Sequence, residues 1–296
     1  MQRMADYLIY QAYGSLAILD EALFSLLSYL RQPAAATVLV YTDNTAYFQR
    51  VLGEAAEVVY VPTEPAQWQA WRGEIDFVHR VKIEVLRHAA AHYPGQLLYV
   101  DTDTVFLQSP AALFAALAQG QRVMHLAEGR LSDGNALNRK LNRALRPLTS
   151  QLPPRVTIGP ATHMYNAGVL GLRSTDAPLL DEVLALTEQL YRFYPKHVME
   201  QLAFSVIWAR EGPVQEATPW VYHYWNLKEI RPVLHTLFAA TPALCSLPDW
   251  QARATQLDVP ALAEGKAAFR QLPGWHRAVR RWLGRDWQLP TLAIAD

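Results

Sequence analysis

Asp101 and Asp103 stand one residue apart, directly after the apolar run Leu97-Leu98-Tyr99-Val100. Along an extended backbone, positions two apart face the same way. Two carboxylates on one side repel unless they are solvated, share a proton or hold a cation. A hard divalent ion bound through oxygen satisfies that arrangement, whereas an acidic turn at a sheet edge is the commoner origin of an isolated Asp-x-Asp tripeptide. Other chemical groups follow later in the chain. Asn166-Ala167-Gly168 interrupts the apolar stretch from His163 to Leu172, and Glu200-Gln201 opens a helical pattern. His223 and Lys228 are the only chemical groups of the aromatic segment Trp220–Lys228. Taken alone, a single histidine is more often a hydrogen-bonded structural residue than a ligand, and Glu200 at a helix start also suits the positive end of the dipole.

The elements that must position these groups alternate. Tyr7–Ala12 reads as a buried strand ending at Tyr13-Gly14-Ser15, with Ser15 placed to cap a helix. In that helix Leu16, Leu19, Leu23, Leu26 and Leu30 recur at spacings of three and four, which makes one apolar face. Thr37–Tyr41 and Glu57–Val61 read as further strands, the first closing on Thr42-Asp43-Asn44 and the second stopped by Pro62. Phe77–Leu86 reads as a helix with Val78, Val81, Val85 and Leu86 inward and Arg80 and Lys82 on the remaining surface. Gln96–Val100 is a strand buried on both faces, and Arg122–Leu126 a shorter one. The polar stretch from Glu128 to His163 is long for a connection, with a helix expected around Leu137 to Leu145. Two amphipathic helices, roughly Ala177 to Tyr194 and Val198 to Arg210, complete the set. Alternation of this kind implies an α/β fold whose sheet is largely parallel and flanked by helices. Ligands of such sheets lie beyond the carboxyl ends of the strands, so the exits near Gly14, Asp43 and Asp101 are expected to open onto one crevice.

Composition narrows the function classes. The 296 residues allow one large α/β domain or two smaller ones. A hydrophobic fraction of 51% with 18% charged residues suits a globular chain with a sizeable core. The 27 basic and 27 acidic residues cancel, so no global field favours nucleic acid. Cys245 is the only cysteine, which excludes an intrachain disulfide and a cysteine-rich zinc site. No apolar run of spanning length occurs, and the start of the chain lacks the pattern of a secretory signal. The expectation is a cytoplasmic protein.

In their order, these motifs resemble the nucleotide-sugar glycosyltransferases of GT-A fold, nearest to glycosyltransferase family 8 and related bacterial enzymes. The resemblance rests on Leu97–Asp103, on Tyr165-Asn166-Ala167-Gly168-Val169, on Glu200-Gln201 and on His223 followed by Lys228, and it covers roughly residues 5 to 235. One departure is visible: the family's late histidine precedes a glycine and a Lys-Pro-Trp, whereas His223 here precedes Tyr-Trp-Asn-Leu-Lys-Glu. The resemblance implies a mixed, mostly parallel GT-A sheet within a domain of residues 1–240, while the helical extension expected over residues 241–296 is read from the change of composition beyond it. It implies a UDP-sugar or similar nucleotide-sugar donor, a Mn²⁺ or Mg²⁺ ion, and a glycan, lipid-linked or small-molecule acceptor. By that resemblance Asp101, Asp103 and His223 hold the metal, Asp101 also reaching the ribose, and Lys228 pairs with a phosphate. Tyr13 and Gly14 pack on the base, Asp43 reaches its edge, and Lys82 or Arg80 stands near the phosphates or ribose. Asn166 bonds donor-sugar hydroxyls, Gly168 lets the backbone approach, Gln201 lies beneath the anomeric carbon and Glu200 touches the sugar. The Glu200-Gln201 pair leans towards transfer with retention.

Two other readings use the same residues. In phosphatases of the haloacid-dehalogenase type an Asp-x-Asp ends the first core strand, with a later acidic pair completing a Mg²⁺ site. Here about ninety residues of strand and helix precede Asp101, and no such later pair follows. A catalytically inactive sugar-nucleotide-binding protein would keep the fold, but the intact acidic pair argues against decay. Beyond Thr241 the chain becomes proline-punctuated helices. Within 274–289, Trp275, Ala278, Val279, Trp282 and Leu283 form one stripe, with Arg277, Arg280, Arg281 and Arg285 around it. A terminal helix docked on the domain is the simpler account of this segment. The alternative is a basic amphipathic helix lying peripherally at the inner face of an anionic membrane.

Overall fold

A computed structural model describes residues 4–33, 36–53, 57–239, 245–283 and 287–289. Thr241, where the composition changes, and Arg285 of the basic stripe lie outside the described residues. The amino-terminal half alternates as expected: β1 (Ala5–Ala12), α1 (Leu16–Leu30), β2 (Thr37–Thr42), α2 (Thr45–Leu52), β3 (Val58–Pro62), α3 (Pro65–Arg72), α4 (Arg80–His92) and β4 (Gly95–Val100). Then come β5 (Thr104–Phe106), α5 (Ala111–Ala118), β6 (Arg122–Met124), β7 (Ala127–Arg130), α6 (Ala136–Ala144), β8 (His163–Tyr165), β9 (Val169–Arg173), α7 (Pro178–Phe193) and α8 (Met199–Arg210). The chain closes through β10 (Val214–Glu216), β11 (Val221–His223), α9 (Arg231–Ala239), α10 (Leu247–Ala254), α11 (Val259–Gln271) and α12 (Gly274–Trp282).

Seven strands form the main sheet in the order β10-β6-β9-β4-β1-β2-β3. β4, β1, β2 and β3 run parallel, while β9 is antiparallel to both β4 and β6. Every residue of β4 is buried, as its uninterrupted apolar sequence demands of a strand covered on both faces. Asn166, Ala167 and Gly168 break the His163–Leu172 run into two pieces. β8 pairs with β7 in a separate ribbon and β9 enters the main sheet. A second small ribbon joins β5 to β11, with His223 opposite Thr104. These two ribbons deliver Asn166 and His223 to the carboxyl end of β4.

Some elements differ from their sequence pattern for reasons of packing. Phe77 to His79 stand outside the helix that was expected to begin there, and Val78 is exposed. Lys82, expected on the helix surface, is buried. α8 is buried over nearly its whole length, because α7 and β8 pack against it. α1 is likewise covered on more than its leucine face, which places the Asp20 and Glu21 carboxylates in the interior. Leu16, the first of the expected stripe, remains exposed. The cover over α1 comes from α9 and α10, and Trp250 of α10 shares the core with Phe238. α12 differs: every residue from Gly274 to Leu283 is exposed or half-buried, including Trp275 and Trp282.

Candidate active site

β4 ends at Val100, and the chain turns at once into Asp101. That turn is held by the Asp101 amide, which donates to the Gly168 carbonyl at 2.8 Å. Asp101, Asp103 and His223 each present one ligand atom within 4.8 Å of the others. Tyr99, two positions back and on the same face, donates its hydroxyl to Asp101 Oδ1 at 3.0 Å. Lys82 Nζ lies 3.0 Å from Asp101 Oδ1 and donates to the Ala167 carbonyl at 3.1 Å. Burial pushes the Lys82 pKa down, but Asp101 and Glu200 outweigh it and hold the ammonium above the ordinary lysine value.

Asp103 is the more buried carboxylate. Its Oδ1 faces His223 Nε2 at 3.0 Å and its Oδ2 accepts from Lys228 Nζ. Burial pushes its pKa up, yet the charge and hydrogen bonds of His223 and Lys228 prevail and hold the carboxyl far below the usual range. His223 Nδ1 lies 2.9 Å from Asn166 Oδ1. Beneath it, a Cβ on Gly168 would come within 2.1 Å of that same Nδ1. Gly168 is therefore required by the imidazole, a role distinct from the ligand approach expected of it. His125 packs edge-on to His223 with ring centroids 5.4 Å apart, and burial depresses its pKa to about 4 with His223 adding to the effect.

A cleft of about 430 Å³ opens above these groups, lined also by Tyr13, Glu128, Glu200, Gln201, Trp225 and Lys228. Its volume lies in the range of small-molecule sites. Glu200 is buried at the start of α8, its Oε1 3.8 Å from Lys82 Nζ, and its Oε2 has no hydrogen-bond partner. A buried acceptor left unpaired is costly, and this one lines the cleft. Gln201 donates from Nε2 to Glu128 Oε2 at 2.9 Å. Tyr13 lies flat on Trp68, with centroids 4.0 Å apart, and forms one wall.

Tyr13, Lys82, Asp101, Asp103, Asn166, Gly168, Glu200, Gln201, His223 and Lys228 thus all line one cleft. Arg80 does not: it bonds Glu84, Glu188 and the Trp71 carbonyl, with its Nε 2.9 Å from Glu188. Two positions along α4, just over half a turn, put the two side chains on opposite sides of the helix, and Lys82 is the member of the pair that reaches the site. Gly14 and Asp43 are exposed beside the cleft, where the Gly14 amide donates to Asp43 Oδ2 at 3.0 Å. Their strand exits do meet, but the bond they form is to each other. Sequence reasoning missed Glu128, Tyr99 and His125. Tyr99 was open to inference, since alternation along β4 puts it with Asp101; Glu128 and His125 carry no local signal.

No family model matches the chain, and no curated protein matches it in sequence. Comparison with solved structures is informative. The glycosyltransferase GlyE of Streptococcus pneumoniae TIGR4 aligns with a TM-score of 0.51 at 12% identity, over 84% of this chain and 63% of GlyE. The fold is GT-A. Mouse xyloside xylosyltransferase 1 aligns at a TM-score of 0.49 and 13% identity, over 72% of this chain and 85% of its own. The galactosyltransferase LgtC, in complex with donor and acceptor sugar analogs, aligns at 0.47 and 11%, over 71% and 72%. The chain spans less than two thirds of GlyE.

GT-A folds imply a divalent metal, and the donor set here fits one. Two carboxylate oxygens and one imidazole nitrogen converge, a mixed set that Mn²⁺ accepts well and that Mg²⁺, preferring oxygen, accepts less readily. The same carboxylates already gather two ammonium groups, from Lys82 and Lys228, so the corner is built to hold positive charge.

Proposed function

We propose that this chain is a metal-dependent glycosyltransferase. It moves a sugar from a nucleoside-diphosphate donor, UDP in our reading, to an acceptor hydroxyl with retention at the anomeric carbon. The observation that carries the reading is the convergence of Asp101, Asp103 and His223 at the exit of β4, facing Glu200 and Gln201 across one cleft. When bound, the divalent ion supplies Lewis-acid stabilisation of the departing diphosphate. Lys228, exposed on one side and resting on Asp103, is free to swing its ammonium onto a phosphate oxygen. Tyr13 offers a flat wall for the base. Glu200 presents its unpaired oxygen to a sugar hydroxyl, and Gln201 lies at the reacting carbon.

Retention is favoured because the carboxylates near the cleft are committed. Glu128 accepts from two amides, one on each oxygen, and Glu200 lies beside Lys82 with its remaining oxygen assigned to the donor sugar, so in this reading neither is left to take the acceptor's proton. The departing phosphate can take that proton on the same face. Acceptors in this reading are glycans, lipid-linked saccharides or small molecules. No helix among the described residues is long and apolar enough to cross a membrane. A cytoplasmic enzyme held at the inner leaflet through 274–289 would suit a lipid-linked acceptor.

The test screens UDP-, GDP- and TDP-sugars with Mn²⁺ for nucleotide release, comparing wild type with Asp103→Ala. UDP plus Mn²⁺ should raise the melting temperature of the wild type only, and release should fall at least about 100-fold in the variant. Equal turnover in the two proteins removes the metal role of Asp103. Binding of UDP without turnover of any donor, across a broad acceptor set, would recast the chain as a sugar-nucleotide-binding protein.

A further inference from the structure

Glu128 sits on β7, in a ribbon outside the main sheet, and its two carboxylate oxygens are divided between two amides. Oε1 accepts from Asn166 Nδ2 at 3.3 Å and Oε2 accepts from Gln201 Nε2 at 2.9 Å. We propose that Glu128 is a positioning residue of the transfer site. It holds both amides and, together with the Gly168 amide, keeps Asn166 turned so that Nδ1 of His223 donates and Nε2 faces the metal. The inference rests on the metal-dependent reading above.

The hydrogen-bond directions are determined by groups that cannot reverse. An ionised carboxylate only accepts, so Asn166 must turn its NH₂ towards Glu128. The Gly168 backbone amide only donates, and it reaches Asn166 Oδ1 at 2.9 Å. Both ends of the Asn166 amide are thus assigned independently and agree. His223 Nδ1 faces that same oxygen at 2.9 Å, so it carries a proton and donates. The ring is left with Nε2 pointing at the acidic pair, 3.0 Å from Asp103 Oδ1 and 3.8 Å from Asp101 Oδ2. A metal-binding imidazole is commonly oriented by such a partner on its other nitrogen, and loss of the partner costs affinity. On the other branch, committing Gln201 Nε2 to Glu128 turns the amide oxygen of Gln201 the opposite way.

Position 128 could in principle be only structural, a carboxylate that ties β7 to α8. The two roles separate on a reciprocal exchange. In Glu128→Gln the introduced amide has one oxygen for two incoming NH₂ groups, so one of those amides must reverse or be left facing a donor. In Asn166→Asp the introduced carboxylate faces that of Glu128 and is repelled. Combining the two restores every bond with the roles reversed. The introduced amide donates to the introduced carboxylate and accepts from Gln201, and that carboxylate still accepts from Gly168 and His223.

The experiment measures Mn²⁺ affinity in the presence of UDP, by calorimetry or by the electron spin resonance signal of free Mn²⁺, alongside ligand-free melting. Each single variant should lose about 10- to 100-fold in Mn²⁺ affinity, and the double variant should return to within about threefold of the wild type, the coupling expected of residues in one network. UDP binding without metal should be alike in all folded proteins. Glu128→Gln binding Mn²⁺ as tightly as wild type overturns the inference, as does a double variant no better than the weaker single. If either single variant does not fold, the double variant decides by the same criterion. A wild type that takes up no Mn²⁺ with UDP overturns the metal reading itself, and this inference with it.

Discussion

At the scale of single residues, the site depends on an atom that is missing. His223 is held on both ring nitrogens, and a Cβ on Gly168 would overlap its Nδ1, Cε1 and Cγ at 2.1, 2.4 and 2.7 Å. The ring cannot retreat without giving up Asn166 or Asp103. Gly168→Ala should therefore fold, because its backbone is not in the left-handed region, at an overpacking cost of about 1–3 kcal/mol. Its Mn²⁺ affinity in the presence of UDP should nevertheless fall by at least about tenfold. Titration calorimetry checks this, and affinity equal to wild type would show that His223 need not sit there. A glycine in that stretch was visible in the sequence as a break in a strand, but its reason was not. The atom it makes room for belongs to a residue 55 positions later. Glu128 was hidden for the same cause: its two partners lie 38 and 73 positions away. Asp101 and Asp103 were legible because their whole signal is local, a buried strand running straight into a repelling pair.

Between elements, the site is braced by buried charge. Glu21 on α1 is fully enclosed and receives Arg231, at the start of α9, through two bonds of 3.0 Å. Lys228, three residues before Arg231, lies 3.6 Å from the same carboxylate and also bonds Asp103. Packing of α9 on α1 and placement of the phosphate-side lysine are thus one arrangement. Arg231→Ala leaves the buried Glu21 with Lys228 alone, and should cost about 3 kcal/mol in denaturant unfolding, the low end for a broken buried pair because Arg231 is one-third exposed. Glu21→Gln in the same background should recover most of that loss, and no recovery would mean that the cost came from packing. Strand and helix alternation was readable from apolar spacing, as in β4 and α1. The antiparallel turn of β9 and the full enclosure of α8 were not, since periodicity reports burial within a segment and not the direction of its neighbour. Lys82 shows the limit well: a lysine on an amphipathic helix reads as solvated, and only the fold brings Asp101 and Glu200 to its ammonium.

For the molecule as a whole, α12 stands out among the described helices as one with no buried residue. α10 and α11 contribute Trp250, Val259 and Ala263 to the interior, whereas α12 leaves Trp275 66% and Trp282 84% exposed, with Val279 and Leu283 also outside. A docked terminal helix would bury this stripe. Its exposure among arginines matches an interfacial helix, whose apolar side enters the headgroup boundary while cations meet anionic lipid. Each arginine near such a surface contributes about 1 kcal/mol, and the attraction decays within a Debye length. The protein should co-sediment with vesicles containing a third phosphatidylglycerol at low salt and leave neutral phosphatidylcholine vesicles in the supernatant. Raising the salt to about 0.5 M should release most of it, since screening then acts within a few ångströms. Trp275→Ser with Trp282→Ser should weaken sedimentation at every salt concentration while leaving nucleotide release from a soluble donor unchanged, because neither tryptophan lines the cleft. Sedimentation that is indifferent to lipid charge, or to both tryptophans, would sever the link between this helix and a membrane-borne acceptor, and the transfer site would then have to be fed from solution.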